Sequence, residues 1–323
     1  MGGSVKAVVV ERFGPAESLT VTDFAEPTPG ENEVLVRVAK AGINFADKHV
    51  VEGSYSYRPP LPYVPGIEAV GTDPDGRRVV ALPRTGGAWA QWVAAPAATL
   101  VAVPDAVTDL QALAVANQGF AAWHILRTAG RMTRQDTVVV SAAAGGVGSL
   151  AVQLARAWGA RRVIALASSD AKRELAVRLG ADVALDPTGE DLADEMLAAN
   201  DGKPVDLYLE MSGGAALDTA LASLGRLGRL VTYGAASGRG STPIRPESLM
   251  QGSRSVVGFW ANDLVTRYPR ITAETMTGLF GMIAKGTLTP ITEHVYPLAE
   301  AGKALTALAN RETTGKLVLD VVD

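Results

Sequence analysis

Residues 138–168 read VVVSAAAGGVGSLAVQLARAWGARRVIALAS, and their pattern decides the fold. An apolar run at Val138, Val139 and Val140 meets a turn of small residues from Ala143 to Gly148. Apolar side chains then recur at Leu150, Leu154, Ala157 and Trp158, the spacing of a helix face, and a second apolar run covers residues 163–167. Strand, glycine turn, helix and strand within about thirty residues is the size of one βαβ dinucleotide-binding unit. The turn reads A-x-G-x-x-G through Ala143, Gly145 and Gly148. Gly145 lets the backbone approach a pyrophosphate, and Gly148 lets the helix pack close to the strand. Ala144, Gly146 and Val147 complete a turn whose N–H groups, with the helix's partial positive charge, suit phosphates.

Downstream, helical and apolar segments alternate. Residues 171–179, 192–199 and 215–224 read as helices; 183–185, 205–209, 229–233 and 255–259 read as strands. With the two strands of the opening unit this makes six, the pattern of a parallel, doubly wound sheet. Upstream the character differs. Short β-branched runs at 5–10, 19–24, 34–41, 68–71, 78–81 and 90–94 are broken by Pro and Gly, with a hairpin turn at 73–76. They predict a compact β-rich barrel or sandwich. Residues 42–65, GINFADKHVVEGSYSYRPPLPYVP, form a polar, aromatic, proline-rich segment too long for a simple connection, the kind of segment that tends to hold chemistry. Residues 110–116 and 120–129 read as helices interrupted at Asn117-Gln118-Gly119. Helices at 276–284 and 299–309 precede a β-like tail at 316–321.

Composition narrows the function classes. The chain has 323 residues, 47% hydrophobic and 20% charged, which is ample for two globular domains. A formal net charge of −4 argues against a nucleic-acid partner, whose affinity needs basic patches. No run approaches the roughly eighteen apolar residues of a membrane span, and no signal peptide opens the chain, so a cytoplasmic protein without a membrane partner is expected. Cysteine is absent, which excludes disulfides, thiolate nucleophiles and Cys-held zinc. His49, His124 and His294 show no metal-ligand spacing, so no metal site is expected.

The order of parts resembles the medium-chain dehydrogenase/reductase superfamily, and within it the zinc-free quinone oxidoreductase branch. The resemblance rests on GINFAD (42–47), EGSY (52–55), LPYVPGIEAVG (61–71), NQGFAAW (117–123) and AAAGGVGSLAVQLAR (142–156). LGAD (179–182), LVTYGAASG (230–238) and GKLVLD (315–320) complete it, in family order along nearly the whole chain. It implies an α/β protein in which a Rossmann domain, residues 121–261, is inserted in a β-rich GroES-like catalytic domain, residues 1–120 and 262–323. It also implies a homodimer, formed by pairing the strand at 255–259. Zinc-containing relatives carry a histidine before the glutamate matching Glu68; here Ile67 stands there.

NAD selection uses an acid at the end of the second strand. Here that strand runs into Ser168-Ser169-Asp170-Ala171-Lys172-Arg173. Hydroxyls and cations suit a 2′-phosphate, and the resemblance puts phosphate contacts on Ser168, Ser169 and Lys172, so NADPH is the expected cofactor. Asp170 is the complication, because it has the chemistry that selects NAD. The resemblance further implies cofactor contacts at Asn44, Tyr233, Gly234, Phe259 and Lys316. A tyrosine common after the third strand in relatives is replaced by Asp186-Pro187.

Hydride transfer needs a donor and acceptor about 3–3.5 Å apart and something to stabilise charge on the acceptor's oxygen. Without zinc this falls to hydrogen-bond donors. The resemblance matches Asn44 to an asparagine beside the nicotinamide ribose and Tyr55 to a tyrosine at the cleft mouth, with Tyr57 and Tyr63 as rival proton donors to Tyr55 and solvent as another source. Relatives commonly carry threonine where Ala121 stands. Trp89, Trp92, Trp123 and Trp260 either line an aromatic acceptor site or pack the core. The expected activity is NADPH-dependent reduction of a quinone. Reduction of enones or enoyl thioesters is the alternative, since enoyl reductase domains of polyketide synthases share the pattern; Lys48, Arg58 and Arg84 would then serve an acyl carrier. A non-catalytic NADPH-binding protein is a reading of another class.

Overall fold

The computed structural model describes residues 3–83 and 85–321. Contacts divide the chain into two compact units, one of Met1–Asn117, Asn262–Gly286 and Pro290–Asp323, the other of Gln118–Ala261 with Thr287–Thr289.

The first unit opens with β1 (Ser4–Val9), β2 (Thr20–Ala25), β3 (Glu33–Ile43), β4 (Ala69–Thr72), β5 (Arg78–Ala81), β6 (Trp92–Pro96) and β7 (Val101–Ala102). The second carries β8 (Thr137–Val140), β9 (Arg162–Leu166), β10 (Val183–Leu185), β11 (Val205–Glu210), β12 (Leu224–Thr232) and β13 (Ser255–Gly258). The chain then returns β14 (His294–Pro297) and β15 (Leu317–Asp320) to the first unit.

In the first unit β3 is the organising strand. It is antiparallel to β4 on one side and to β15 and β6 at its two ends on the other, within a sheet ordered β14-β15-β3-β4-β5-β7. Its inward residues Val36, Val38, Ala41 and Ile43 join Trp89, Leu305, Leu317 and Leu319 in one apolar core. Burying side chains of this size contributes roughly 1.5–3 kcal/mol each, which is what holds the register that delivers the site. The turn between β4 and β5 is closed by Asp73, whose Oδ1 accepts the N–H groups of Asp75 and Arg77 at 3.0 and 2.8 Å.

The second unit is a six-stranded parallel sheet ordered β10-β9-β8-β11-β12-β13. The order reverses between β8 and β11, and ligands of such sheets bind beyond the carboxyl ends of the strands at that reversal. Strands β8 and β9 are almost wholly buried, as strands covered on both faces must be.

Several elements differ from the sequence reading. The segment at 42–65 contains a helix, Phe45–Val51. Residues 109–129 are not interrupted at Asn117-Gln118-Gly119; α-helical Asp109–Ala114 and Phe120–His124 alternate with wider π turns at Val115–Gly119 and Ile125–Ala129. Polar residues and a glycine in the middle were tolerated because a π turn accommodates them without ending the helix. Strand β12 begins at Leu224, the helix after β9 at Asp170, and the late helix at Pro269, seven residues ahead of the expected Met276. Strands β7 and β14 were not expected from the sequence; β7 is only two residues long.

Candidate active site

Three neighbouring strand ends, joined by Asn117, assemble the polar centre of the first unit. Ala69 faces Ala41 across β4 and β3, so Glu68 lies beside Gly42; Leu317 faces Ile43 across β15 and β3, so Lys316 lies beside Asn44. Gly42 is what allows the convergence. A Cβ there would come within 2.4–2.6 Å of the Glu68 side chain, which runs over the glycine towards Asn44. Trp89 seals the other side, donating Nε1–H to the Gly42 carbonyl at 3.0 Å.

Glu68, Lys316, Asn44 and Asp47 of the resulting network are buried, and Asn117 is half-buried. Lys316 Nζ pairs with Glu68 Oε1 and donates to the Ile43 carbonyl at 3.1 Å and to Asn44 Oδ1 at 3.2 Å. Asn44 Nδ2 donates to Glu68 Oε1 at 2.7 Å, and Asn117 donates its N–H to Glu68 Oε2 at 3.0 Å and its Nδ2–H to Asn44 Oδ1 at 3.2 Å. Buried charges are tolerable only when paired and hydrogen-bonded in this way. Asn44 is also the N-cap of the Phe45–Val51 helix, and its N–H goes to Asp47 Oδ2 at 2.7 Å. Burial pushes the Asp47 carboxyl up to about 7, against the opposing pull of that N–H and of Lys316.

Lys316, expected as a cofactor contact, is buried, with its ammonium on Glu68 and Asn44. Tyr55 follows the helix, half-buried, with its N–H on the His49 carbonyl at 3.0 Å. Of its rivals, Tyr57 is exposed, and burial pushes the Tyr63 phenol well above the ordinary tyrosine range. Lys48 is paired with Glu52 at 2.7 Å, and Arg58 donates to the Gly53 carbonyl at 2.6 Å with its guanidinium over Phe13. Arg84 lies outside the described residues. Among the tryptophans, Trp89 is core, Trp92 lies half-buried in β6, Trp123 packs edge-on against Trp158 at 5.0 Å, and Trp260 is exposed. Ala121 is buried.

In the second unit the glycine turn leads straight from β8 into the helix Gly146–Ala157, with Gly145 as its N-cap. Gly148 is held to glycine by backbone: a Cβ would stand 2.2 Å from the Ala142 carbonyl oxygen and 2.8 Å from the Ala143 Cα. A Cβ on Gly146 would meet the Gln118 side chain at 2.1 Å. First-turn N–H groups, here those of Gly146, Val147 and Gly148, have no acceptor within the helix, which suits a diphosphate. Ala144 is buried beside them.

The other expected cofactor residues sit at carboxyl ends of the same sheet. Ser168 and Ser169 are exposed beyond β9, and Ser169 caps the helix Asp170–Arg178, its Oγ accepting the Lys172 N–H at 3.4 Å. Tyr233 and Gly234 follow β12. Burial pushes the Tyr233 phenol up, and Ser141, its hydrogen-bond partner, also accepts the Met211 N–H at 3.1 Å. A Cβ on Gly234 would lie 2.7 Å from the Met211 carbonyl oxygen. Phe259 follows β13 and stacks on the His124 ring at 6.1 Å; burial lowers that imidazole to about 4, so it is neutral at physiological pH. Among the described residues no group of three or more His, Asp or Glu is placed to hold a metal ion. The geometry of the turn fits a dinucleotide.

Comparison with known proteins places the chain. Residues 30–105 match the alcohol dehydrogenase GroES-like domain and residues 146–277 the zinc-binding dehydrogenase family. The quinone oxidoreductase of Pseudomonas aeruginosa is 32% identical over 335 residues, covering 97% of this chain and 99% of the relative. The chain belongs to the zinc-independent quinone oxidoreductase branch of the medium-chain dehydrogenase/reductase superfamily. Like other members of the branch it is an oxidoreductase, built as a GroES-like β unit and a Rossmann sheet. The quinone oxidoreductase of Thermus thermophilus, solved alone and with NADPH, superimposes with a TM-score of 0.86 at 36% identity, covering 98% of this chain and 99% of that one. A mycocerosic acid synthase-like polyketide synthase of Mycobacterium tuberculosis is 30% identical over 95% of this chain, which spans only 15% of that protein.

Sequence reasoning missed Glu68, Asp47 and Asn117 as members of the polar centre. The available signal was a charge inside an apolar run: Glu68 interrupts Val64 to Val70, and Lys316 opens Leu317 to Leu319. Charges so placed must find each other.

Proposed function

We propose that the protein is a cytoplasmic NADPH:quinone oxidoreductase that works without zinc. The observation that carries this is the whole-length match to quinone oxidoreductases, one of them solved with NADPH, in a chain whose glycine turn admits no side chain at Gly148. NADPH, when bound, supplies hydride to the acceptor. The turn from Ala144 through Gly145, Gly146 and Val147 to Gly148 holds the pyrophosphate, and Ser168, Ser169 and Lys172 hold the 2′-phosphate. Tyr233, Gly234 and Phe259 shape the nicotinamide end. Asn44 aligns the nicotinamide ribose and acceptor, Tyr55 stands at the mouth, and Lys316 acts through Asn44. The two units serve as catalytic and dinucleotide-binding domains. No described helix is long and apolar enough to cross a membrane.

The test is steady-state oxidation of NADPH with quinones, enones and enoyl thioesters. Turnover of quinones at kcat/KM above the others supports the reading. Preference for enoyl thioesters would favour the polyketide-type alternative, which the mycobacterial relative supports. Binding of NADPH with no turnover would mark a non-catalytic protein. A homodimer through β13 is supported by that strand's place at the end of the sheet order, and light scattering at the monomer mass would refute it.

A further inference from the structure

Asp170 stands twenty-two positions after Gly148, close to the spacing at which an acid binds the ribose 2′-hydroxyl and selects NAD over NADP. A carboxylate there is the wrong charge for a 2′-phosphate. Its surroundings resolve the conflict. Arg173, one turn along the same helix, donates from Nη2 to Asp170 Oδ1 at 2.5 Å. The same guanidinium donates from Nη1 to the Ala167 carbonyl at 2.9 Å and to Asp186 Oδ2 at 3.1 Å. Asp186 is itself fixed by the N–H and hydroxyl of Thr188, at 2.9 and 2.7 Å. Arg173 is thus strapped from the end of β9 to the loop after β10, and the hydrogen bonds and charges of Asp170 and Asp186 push its already high pKa further up. Its side chain is 21% exposed, against 91% for Asp170.

We infer that Arg173 is a specificity-determining residue that masks Asp170. The inference rests on the reading of NADPH as the cofactor. A planar guanidinium anchored at two other points holds the carboxylate by a charge-assisted bond. The acid can then neither accept the ribose 2′-hydroxyl of NADH nor repel the 2′-phosphate at full strength. The phosphate meets Ser168, Ser169 and Lys172 beside a neutralised pair. Selectivity is set by what silences the acid as well as by what binds the phosphate, which is a repulsive element held in check.

The experiment measures kcat/KM for NADPH and for NADH with one quinone acceptor, in the wild type, Arg173→Ala, and Arg173→Ala with Asp170→Asn. Arg173→Ala is expected to lower the NADPH-to-NADH ratio roughly tenfold, through a higher KM for NADPH and a lower one for NADH, a modest effect because Asp170 is screened by solvent. Adding Asp170→Asn removes the unmasked charge and is expected to restore the NADPH KM to within about threefold of wild type. Both variants lose the same contacts to Ala167 and Asp186, so restoration cannot be attributed to a repaired fold. An unchanged ratio in Arg173→Ala overturns the mask, and so does a double variant as poor with NADPH as the single one, which would make Arg173 a direct phosphate ligand. A wild type with no preference for NADPH would instead overturn the cofactor reading on which the inference rests.

Discussion

Asn44 donates through Nδ2 to Oε1 of Glu68 at 2.7 Å, while its Oδ1 receives Lys316 Nζ and Asn117 Nδ2, each at 3.2 Å. These partners leave one orientation for the amide. Flipped, its NH2 would face an ammonium and another amide NH2, and its oxygen would face a carboxylate. In a buried setting each of those contacts is costly, so the amide is oriented before any ligand arrives. Preorganisation of this kind is how a polar group acts on a reaction without reorganising during it.

Asn44→Ala is therefore expected to lower kcat by about a hundredfold, the scale of losing one preorganised polar group, with a much smaller change in KM for NADPH. Loss of the N-cap adds about 1 kcal/mol of destabilisation. Steady-state kinetics and urea unfolding on the same preparation separate the two effects. A variant destabilised by that amount but with wild-type kcat would leave Asn44 a helix cap and nothing more.

Lys316→Met leaves Glu68 charged and buried with its ammonium gone, a loss of roughly 3–5 kcal/mol. Adding Glu68→Gln removes the stranded charge and should recover at least half of it, since replacing both members of a buried pair is often nearly neutral. Denaturant midpoints of the single and double variants give the coupling directly. If the double variant is as unstable as the sum of the singles, the pair is not the unit that the geometry describes.

Much of this protein was legible because burial writes itself into composition. Strands β8 and β9 are covered on both faces, so Val138–Val140 and Val163–Leu166 appear as unbroken apolar runs, and the glycine turn between them can be read directly. The polar centre was not legible. Glu68 and Lys316 are 248 positions apart and meet only because β4 and β15 flank β3 in a particular register, which no local pattern encodes. The helix Phe45–Val51 was hidden for a different reason. It is two turns long and its buried face pairs a charged residue, Asp47, with Val51, so no apolar helix stripe is visible in the sequence. Arg173 was read only as one of the cations that suit a 2′-phosphate, because its partner Asp186 lies beyond the rest of the helix and a further strand.

The glycine turn gives a graded expectation. Gly148→Ala sets a methyl against the Ala142 carbonyl oxygen and the Ala143 Cα, both backbone, so the helix must move away from β8. Binding of NADPH, measured by quenching of tryptophan fluorescence, should weaken by a hundredfold or more, about 3 kcal/mol. Gly146→Ala meets the Gln118 side chain, which can rotate away, and should weaken binding by roughly tenfold or less. The reverse order would mean that the first turn is positioned by something other than its contact with Ala142.

Asp47 ties the site to pH. Its carboxyl is raised by burial from 3.8 to about 7, so the folded protein retains a proton that the unfolded chain releases. The sign follows from linkage. The contribution of this group to stability is fully present below about pH 4 and is lost as pH rises towards 7, by roughly 1.4 kcal/mol per unit between the two values. Above that range the ionised carboxylate sits close to Glu68, with Lys316 facing both. Asp47→Asn keeps an acceptor for the Asn44 N–H but cannot ionise. Its unfolding free energy should therefore lack this slope between pH 4 and 7, and the variant should gain on the wild type as the pH is raised from 5 to 8. Urea titrations at four or five pH values measure it, because the difference between the two proteins cancels every other titrating group. Parallel curves over the whole range would show that Asp47 is ionised in the folded state at all of them, and that its burial is compensated by Lys316 and the Asn44 N–H.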